Sequence, residues 1–210
     1  MSTFFFPSRS QVLFGGSRSL PASCAGLVGQ VVGAAVSAGA SVHVGCAAGA
    51  DLQVIQAVVS AGAARRALSL FCVGTSGGFG FWSGSAPWPV LLGAWQAGAS
   101  VRWQAGGGLA VSFAGRLMAR SMAALSGCSL AVFFLASPGS PGSLKVAAQA
   151  VKRHIPVLAF ACGFSGSPAP LAGLAGSWQP ASIAGFSCWA WQPSIIPAPR
   201  PAPAGQLSLF

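Results

Sequence analysis

Three segments of the chain carry the residue types that bind phosphate groups in proteins. They are residues 15–18 (Gly-Gly-Ser-Arg), residues 45–51 (Gly-Cys-Ala-Ala-Gly-Ala-Asp) and residues 137–143 (Ser-Pro-Gly-Ser-Pro-Gly-Ser). Glycines allow a phosphate to approach backbone amides, and the guanidinium of Arg18 can form two parallel hydrogen bonds with phosphate oxygens. Together, these segments predict a site for a phosphate-bearing ligand.

Asp51 is the only acidic residue among 210. We expect it in the first turn of a helix, where its carboxylate would cap the helix or bind a sugar hydroxyl. A salt bridge between Arg18 and Asp51 is an equally good interpretation, because a buried carboxylate is costly without a partner. Arg116 and Arg120 lie one helical turn apart, and their spacing alone favours a solvated helix face over ligand contact.

The cysteines and histidines show no spacing typical of a metal site. The chain has six cysteines and two histidines, with no Cys-x-x-Cys pair. This pattern predicts reduced thiols, with no metal and no cofactor. The seven tryptophans are interpreted as packing residues rather than platforms for base stacking.

Short apolar strands alternate with helices rich in small residues. We predict strands at residues 11–14, 41–44, 67–73, 100–103, 130–136 and 156–161, and helices at 21–38, 50–61, 89–97, 111–125 and 144–154. The alternation predicts an α/β fold, a Rossmann-like open parallel sheet with helices on both faces. Each phosphate-type segment follows a predicted strand, and ligands of such sheets bind beyond the carboxyl ends of the strands.

The composition changes after residue 162, where Gly, Pro, Ser and Trp become dominant. We therefore predict a nucleotide-binding domain at residues 1–162, a tail with a proline linker at 163–204, and a terminal peptide at 205–210. The alternating prolines of residues 197–203 predict an extended polyproline-type linker.

The charge balance bears on partners and on location. The net charge of +10 favours polyanions, but the basic residues are dispersed and outline no DNA groove. Only 6% of residues are charged and 53% are hydrophobic, which suggests self-association as a homo-oligomer. Residues 27–50 are uncharged but consist largely of small residues, so we expect a buried helix and strand rather than a membrane span. No signal peptide is evident, and we expect a bacterial cytoplasmic protein.

The three segments resemble the motifs of the SLOG superfamily of Rossmann-like nucleotide-binding proteins. That group includes the DNA-processing protein A family, cytokinin-activating phosphoribohydrolases, and small proteins of phages, plasmids and other mobile genetic elements. A fourth segment, Arg120-Ser121-Met122, resembles a helix motif of the superfamily, and the resemblance spans roughly residues 11 to 161. It implies nucleotide binding by Gly16, Ser17, Arg18, Gly45, Cys46, Gly49, Asp51, Arg120, Ser140, Gly142 and Ser143.

The chain departs from that superfamily at several positions. Ala48 stands where many relatives have Arg, Ser121 replaces Asn, and Ser143 replaces Thr. The phosphoribohydrolases need a Glu after the phosphate loop, whereas this chain contains no Glu and has Lys145 in that stretch. We therefore favour a module that binds a nucleotide or single-stranded DNA over a nucleoside-monophosphate-processing enzyme of the phosphoribohydrolase type. A self-associating structural protein is a third hypothesis.

The last five residues are Gln206, Leu207, Ser208, Leu209 and Phe210. They are similar to the peptide with which bacterial polymerases and mismatch-repair proteins bind the sliding clamp. The leucines and the phenylalanine suit apolar pockets, and the glutamine suits a pocket rim. We predict recruitment to DNA replication or repair through the clamp. The alternative is a terminal strand that packs on its own domain.

Overall fold

A computed structural model describes residues 2–75, 87–108 and 110–194. Its strands are β1 (Ser2–Phe4), β2 (Gln11–Gly16), β3 (Ser41–Val44), β4 (Leu68–Phe71), β5 (Ser100–Arg102), β6 (Leu130–Leu135), β7 (Val157–Ala161), β8 (Gly176–Ile183) and β9 (Phe186–Pro193). Its helices are α1 (Ala25–Ser37), α2 (Ala50–Ser60), α3 (Ala64–Ala67), α4 (Pro87–Gln96), α5 (Phe113–Leu125) and α6 (Pro141–Lys152).

The strands form one sheet in the order β1-β8-β9-β7-β6-β2-β3-β4-β5. Six adjacent strands, β7-β6-β2-β3-β4-β5, are parallel to one another. Strand β9 is antiparallel to both of its neighbours, β7 and β8. The predicted Rossmann-like α/β fold is therefore confirmed. Parallel strands place their carboxyl ends at one edge of the sheet, which is where the phosphate-type segments lie.

Apolar side chains cover both faces of the central strands. Phe14, Phe134 and Phe160 stack across β2, β6 and β7 on one face, with ring centroids 6.3 and 5.2 Å apart, and this face carries α1, α2 and α4. Leu13 and Phe133 lie on the opposite face under α5 and α6. Every residue of β6 is buried, as expected for a parallel strand covered by helices on both sides.

The sheet continues beyond residue 162, where we had placed the domain boundary. We had expected the last strand at residues 156–161, but β8 and β9 form a hairpin that extends the sheet, and β1 joins its outer edge. The proline linker at 197–203 and the terminal peptide at 205–210 lie outside the described residues, so those assignments stay predictions.

Residues 27–50 form most of α1, all of β3 and the loop that leads into α2. The expectation of a buried helix and strand in this range is confirmed. In the described ranges, none of the helices has the length and apolar character needed to cross a bilayer.

Candidate functional site

A pocket of about 530 Å³ opens at the carboxyl ends of β2, β3 and β6. Its walls come from the loops that follow these three strands, from one side of α5 along most of its length, and from the first two turns of α6. Most of the predicted nucleotide-binding residues line it, namely Gly16, Ser17, Arg18, Gly45, Asp51, Arg120, Ser140, Gly142 and Ser143. Cys46 and Gly49 are not among its lining residues. The three segments that the sequence singled out thus converge on one cavity.

Two glycines of the second loop make room for their neighbours. A Cβ at Gly45 would overlap the guanidinium of Arg120 and lie 2.6 Å from Oδ2 of Asp51. Gly49 has a φ of 73° and would meet the carbonyl oxygens of Ser17 and Arg18 if it carried a Cβ. Gly45 therefore admits the arginine, and Gly49 allows the second loop to contact the first.

The partner of Asp51 is Arg120. Its Oδ2 accepts a hydrogen bond from Nη1 of Arg120 at 2.9 Å and one from the backbone N–H of Ala47 at 3.0 Å. Both charged side chains are buried, so the expected solvated face at Arg120 is wrong, and so is the salt bridge expected between Arg18 and Asp51. In the part of the chain that the structure describes, Oδ1 of Asp51 accepts no hydrogen bond.

A chain of hydroxyl groups connects the first loop to the third. The backbone N–H of Ala136 donates to Oγ of Ser17 at 2.9 Å, the hydroxyls of Ser17 and Ser140 lie 2.6 Å apart, and Ser140 donates to the carbonyl of Ser137 at 3.1 Å. When Ser17 donates to Ser140, both hydroxyl protons are used within the protein. These serines therefore hold the pocket in shape, and the donors that face a ligand must come from other groups.

Unused donors lie on both sides of that serine pair. The N–H groups of Gly142 and Ser143 fall in the first turn of α6, where no intrahelical acceptor exists, and the cap residue Ser140 offers no side-chain bond to them. Arg18 is exposed at the pocket mouth. Lys145 also lines the pocket. The sequence did not predict this position for Lys145, which occupies the stretch where the phosphoribohydrolases need a Glu.

Part of the pocket lining is apolar. This part consists of Leu117, Met118, Phe133 and Val146. An apolar wall beside amide and cationic donors suits a ligand with a flat ring and an anionic group.

Two buried thiols lie behind the Asp51–Arg120 pair. The Cys72 thiol donates to Cys46, and together with the Arg120 charge and the N–H of Val73 it lowers the pKa of Cys46 to about 7 against the opposing effect of burial. The same pairing raises the pKa of Cys72. One proton shared by two thiols accounts for both directions. All six cysteines are free thiols.

The described tryptophans pack mainly against one another and against the sheet. Trp178 and Trp191 meet edge to face at a centroid distance of 5.4 Å in the core under β8 and β9. Trp103 contacts Trp88 and Trp95 near the edge strand β5. Packing is the role that we had expected for these residues. In the ranges that the structure describes, no group of three or more His, Cys, Asp or Glu residues is placed to hold a metal ion.

The fold resembles that of DNA processing protein A. The protein from Helicobacter pylori, described for its single-stranded DNA binding mode, superposes with a TM-score of 0.54 and 14% identity, over 71% of this chain and 64% of that one. DNA processing protein A from Streptococcus pneumoniae gives a TM-score of 0.54 and 18% identity, over 73% of this chain and 50% of that one. This chain therefore spans between half and two thirds of those proteins. No protein-family model and no curated protein matches the sequence.

Proposed function

We propose that this protein binds the phosphate of a nucleotide or of single-stranded DNA in the pocket at the carboxyl edge of its sheet. The observation that carries the proposal is the convergence of three phosphate-type loops, far apart in sequence, on one cavity. Loops of this kind at strand ends are where open α/β sheets bind their ligands.

The electrostatics of the pocket favour an anion. Arg18, Lys145 and the free amides at the start of α6 all present positive charge or partial charge to the cavity. The only acidic side chain in the chain, Asp51, is neutralised by Arg120 at 2.9 Å. A phosphate that enters the pocket therefore meets donors without meeting an uncompensated negative charge.

The remaining surfaces of the pocket suit a nucleotide. The apolar wall formed by Leu117, Met118 and Phe133 can accommodate a base, and Oδ1 of Asp51 can accept the hydroxyl of a free nucleotide or of a strand end. Single-stranded DNA is the favoured form of the ligand, because the structurally similar Helicobacter pylori protein is described as binding it. A nucleoside-monophosphate hydrolase has weaker support, since Asp51 is the only carboxylic side chain available and is held in an ion pair.

Replacement of Arg18 by Met tests the phosphate contact. Arg18 is exposed and has no ion pair in the described residues, so its removal should leave the fold intact. We expect the affinity for fluorescent oligothymidylate to fall at least about tenfold, as for the loss of a charge-assisted hydrogen bond. Titration by fluorescence anisotropy measures this.

The control is Arg153→Met. Arg153 is also exposed but lies at the opposite end of α6, away from the pocket. The Arg153→Met substitution removes the same charge and should change the affinity for oligothymidylate by no more than about twofold. Equal losses in the two variants would mean that only net charge matters, and an unchanged affinity in Arg18→Met would contradict a phosphate site at this loop.

We propose in addition that residues 206–210 bring the protein to the bacterial sliding clamp. The support is the sequence Gln-Leu-Ser-Leu-Phe behind a proline-rich stretch, since a preformed extended linker lowers the ordering cost of binding. Recruitment to replication or repair follows from that partner. Self-association as a homo-oligomer stays a prediction.

Binding to purified clamp tests this second proposal. The full chain should bind immobilised clamp, and the double substitution Leu209→Ala and Phe210→Ala should abolish the binding. Ile195→Ala with Ile196→Ala is the control, because it removes similar apolar bulk from the same terminal region. Binding that survives the first pair of substitutions, or that is lost with both, would rule out the terminal peptide as the specific contact.

A further inference from the structure

Arg116 is a buried cation without a counter-ion. It is 8% exposed, and its Nε and Nη1 atoms have no hydrogen-bond partner in the described residues. Its guanidinium carbon lies 5.4 Å from the centre of the Phe113 ring. The one acidic side chain of the whole sequence, Asp51, is already paired with Arg120. The expected solvated face is therefore wrong here too.

A buried charge without a counter-ion lowers the stability of the folded protein. Burial of a guanidinium without an anion costs free energy that an apolar side chain of similar size would not. A cation-π contact with one phenylalanine offsets only part of that cost. The chain thus keeps at residue 116 a side chain that destabilises the ligand-free protein.

The position of Arg116 extends the edge on which the pocket lies. Gly106, in the loop after β5, approaches α5 so closely that a Cβ would overlap the carbonyl oxygen of Arg116. The same loop is tied to the end of β4, because Ala105 donates to the carbonyl of Cys72 at 2.8 Å. Arg116 therefore lies beside the carboxyl ends of β4 and β5. Arg18 follows β2, so the two arginines lie along the same edge of the sheet.

We propose that Arg116 forms a second anion subsite, which takes a neighbouring phosphodiester of the strand whose first phosphate occupies the pocket. This rests on the proposed function. Arg116 precedes Arg120 by four residues, about 6 Å along α5, so the subsite adjoins the pocket without being part of its lining. A ligand with consecutive phosphates fits both, and a mononucleotide fills only the pocket.

Two probes and three variants test the subsite. Thymidine monophosphate and oligothymidylate are titrated against wild type, Arg116→Met, Arg116→Lys and Arg18→Met. In wild type, oligothymidylate should bind more tightly than the monophosphate. Arg116→Met should lose at least about tenfold of the affinity for the oligonucleotide, and Arg116→Lys should restore part of it, because the charge returns without the planar fork. Arg18→Met should weaken both probes.

Thermal unfolding of the ligand-free variants separates a binding role from a structural one. Arg116→Met should unfold at the same temperature as wild type or higher, since an uncompensated charge is removed. A lower unfolding temperature would overturn the proposal, because the guanidinium would then be required by the fold. Unchanged oligonucleotide affinity in Arg116→Met would also overturn it. If Arg18→Met still loses affinity in that case, only the subsite fails, whereas full affinity in both variants means that the proposed function fails as well.

Discussion

At the scale of single residues, the site depends on how one carboxylate is used. Asp51 neutralises Arg120 and accepts the N–H of Ala47, so it fixes both the second loop and the middle of α5. The sequence indicated that Asp51 needs a partner, but it could not indicate which arginine. The choice depends on space, because only the missing side chain at Gly45 lets the guanidinium of Arg120 reach the carboxylate.

Removal of Asp51 should therefore damage the fold more than a surface substitution would. Asp51→Ala leaves the buried charge of Arg120 without a partner and should lower the free energy of unfolding by about 3 kcal/mol. The double variant Asp51→Leu with Arg120→Met removes both charges and should recover most of that loss. Denaturant titration measures the three free energies, and a double variant no more stable than Asp51→Ala would contradict the account of this pair.

The Cys46–Cys72 pair predicts a pH dependence of stability. The pKa of Cys46 is lowered from 9.0 to about 7 in the folded protein, mainly by the Cys72 thiol and then by Arg120. The stabilising contribution of a lowered pKa is complete above the unfolded value and is lost as the pH falls through the folded one. Between about pH 9 and pH 6, wild type should thus lose on the order of 2 kcal/mol relative to Cys46→Ala.

Unfolding curves of the two proteins across that pH range test the contribution of Cys46. The difference between wild type and Cys46→Ala is the informative quantity, because the titrating groups other than Cys46 and its partner Cys72 are common to both proteins. A difference that stays constant with pH would show that Cys46 keeps an ordinary thiol pKa in the folded protein.

At the scale of elements, the parallel part of the sheet could be predicted and the hairpin could not. The central strands are apolar runs bounded by glycines, which is the pattern of buried parallel strands. β8 and β9 contain Gly, Pro, Ser and Trp, and these residues suggested a tail. Each strand mixes buried with exposed residues, as in antiparallel strands that have one solvated face. The two-residue turn Ala184–Gly185, with φ of 49° and 86°, completes the hairpin.

That turn lacks the residue pair by which a sequence usually indicates a hairpin. Both of its residues have positive φ, the backbone of a type I′ turn, for which Asn-Gly is the preferred pair. The chain contains no Asn, so Ala takes the first position and the usual signal is absent. An alanine in the left-handed region costs about 1 kcal/mol, which an asparagine reduces.

Ala184→Asn should therefore stabilise the protein by about 0.5 kcal/mol or more. Ala184 is exposed, so the fold need not repack around the larger side chain. Ala61→Asn is the matched control, because Ala61 is also exposed but has a φ of −78°, and it should be neutral or slightly destabilising. Thermal and denaturant unfolding compare the two, and equal effects would mean that the turn is not strained.

At the scale of the whole molecule, the chain combines a charge of +10 with a pocket whose only carboxylate is neutralised. The position of the pocket could be predicted from the three loops, because they follow strands whose carboxyl ends meet at one edge of the sheet. The roles within it could not be predicted in full. Ser17 and Ser140 connect two loops through a contact between residues more than a hundred positions apart, and the burial of Arg116 depends on packing between layers. The sequence alone shows neither of these contacts.

The proposed function requires a phosphate to bind against the start of α6, and a matched pair of glycine substitutions tests for this contact. Gly142 and Gly139 are both exposed, and a Cβ at either meets no atom within 4 Å, but only Gly142 lines the pocket. Oligothymidylate is titrated against Gly142→Leu and Gly139→Leu. We predict a loss of at least about tenfold for Gly142→Leu and near wild-type affinity for Gly139→Leu. Full affinity in Gly142→Leu would contradict the account.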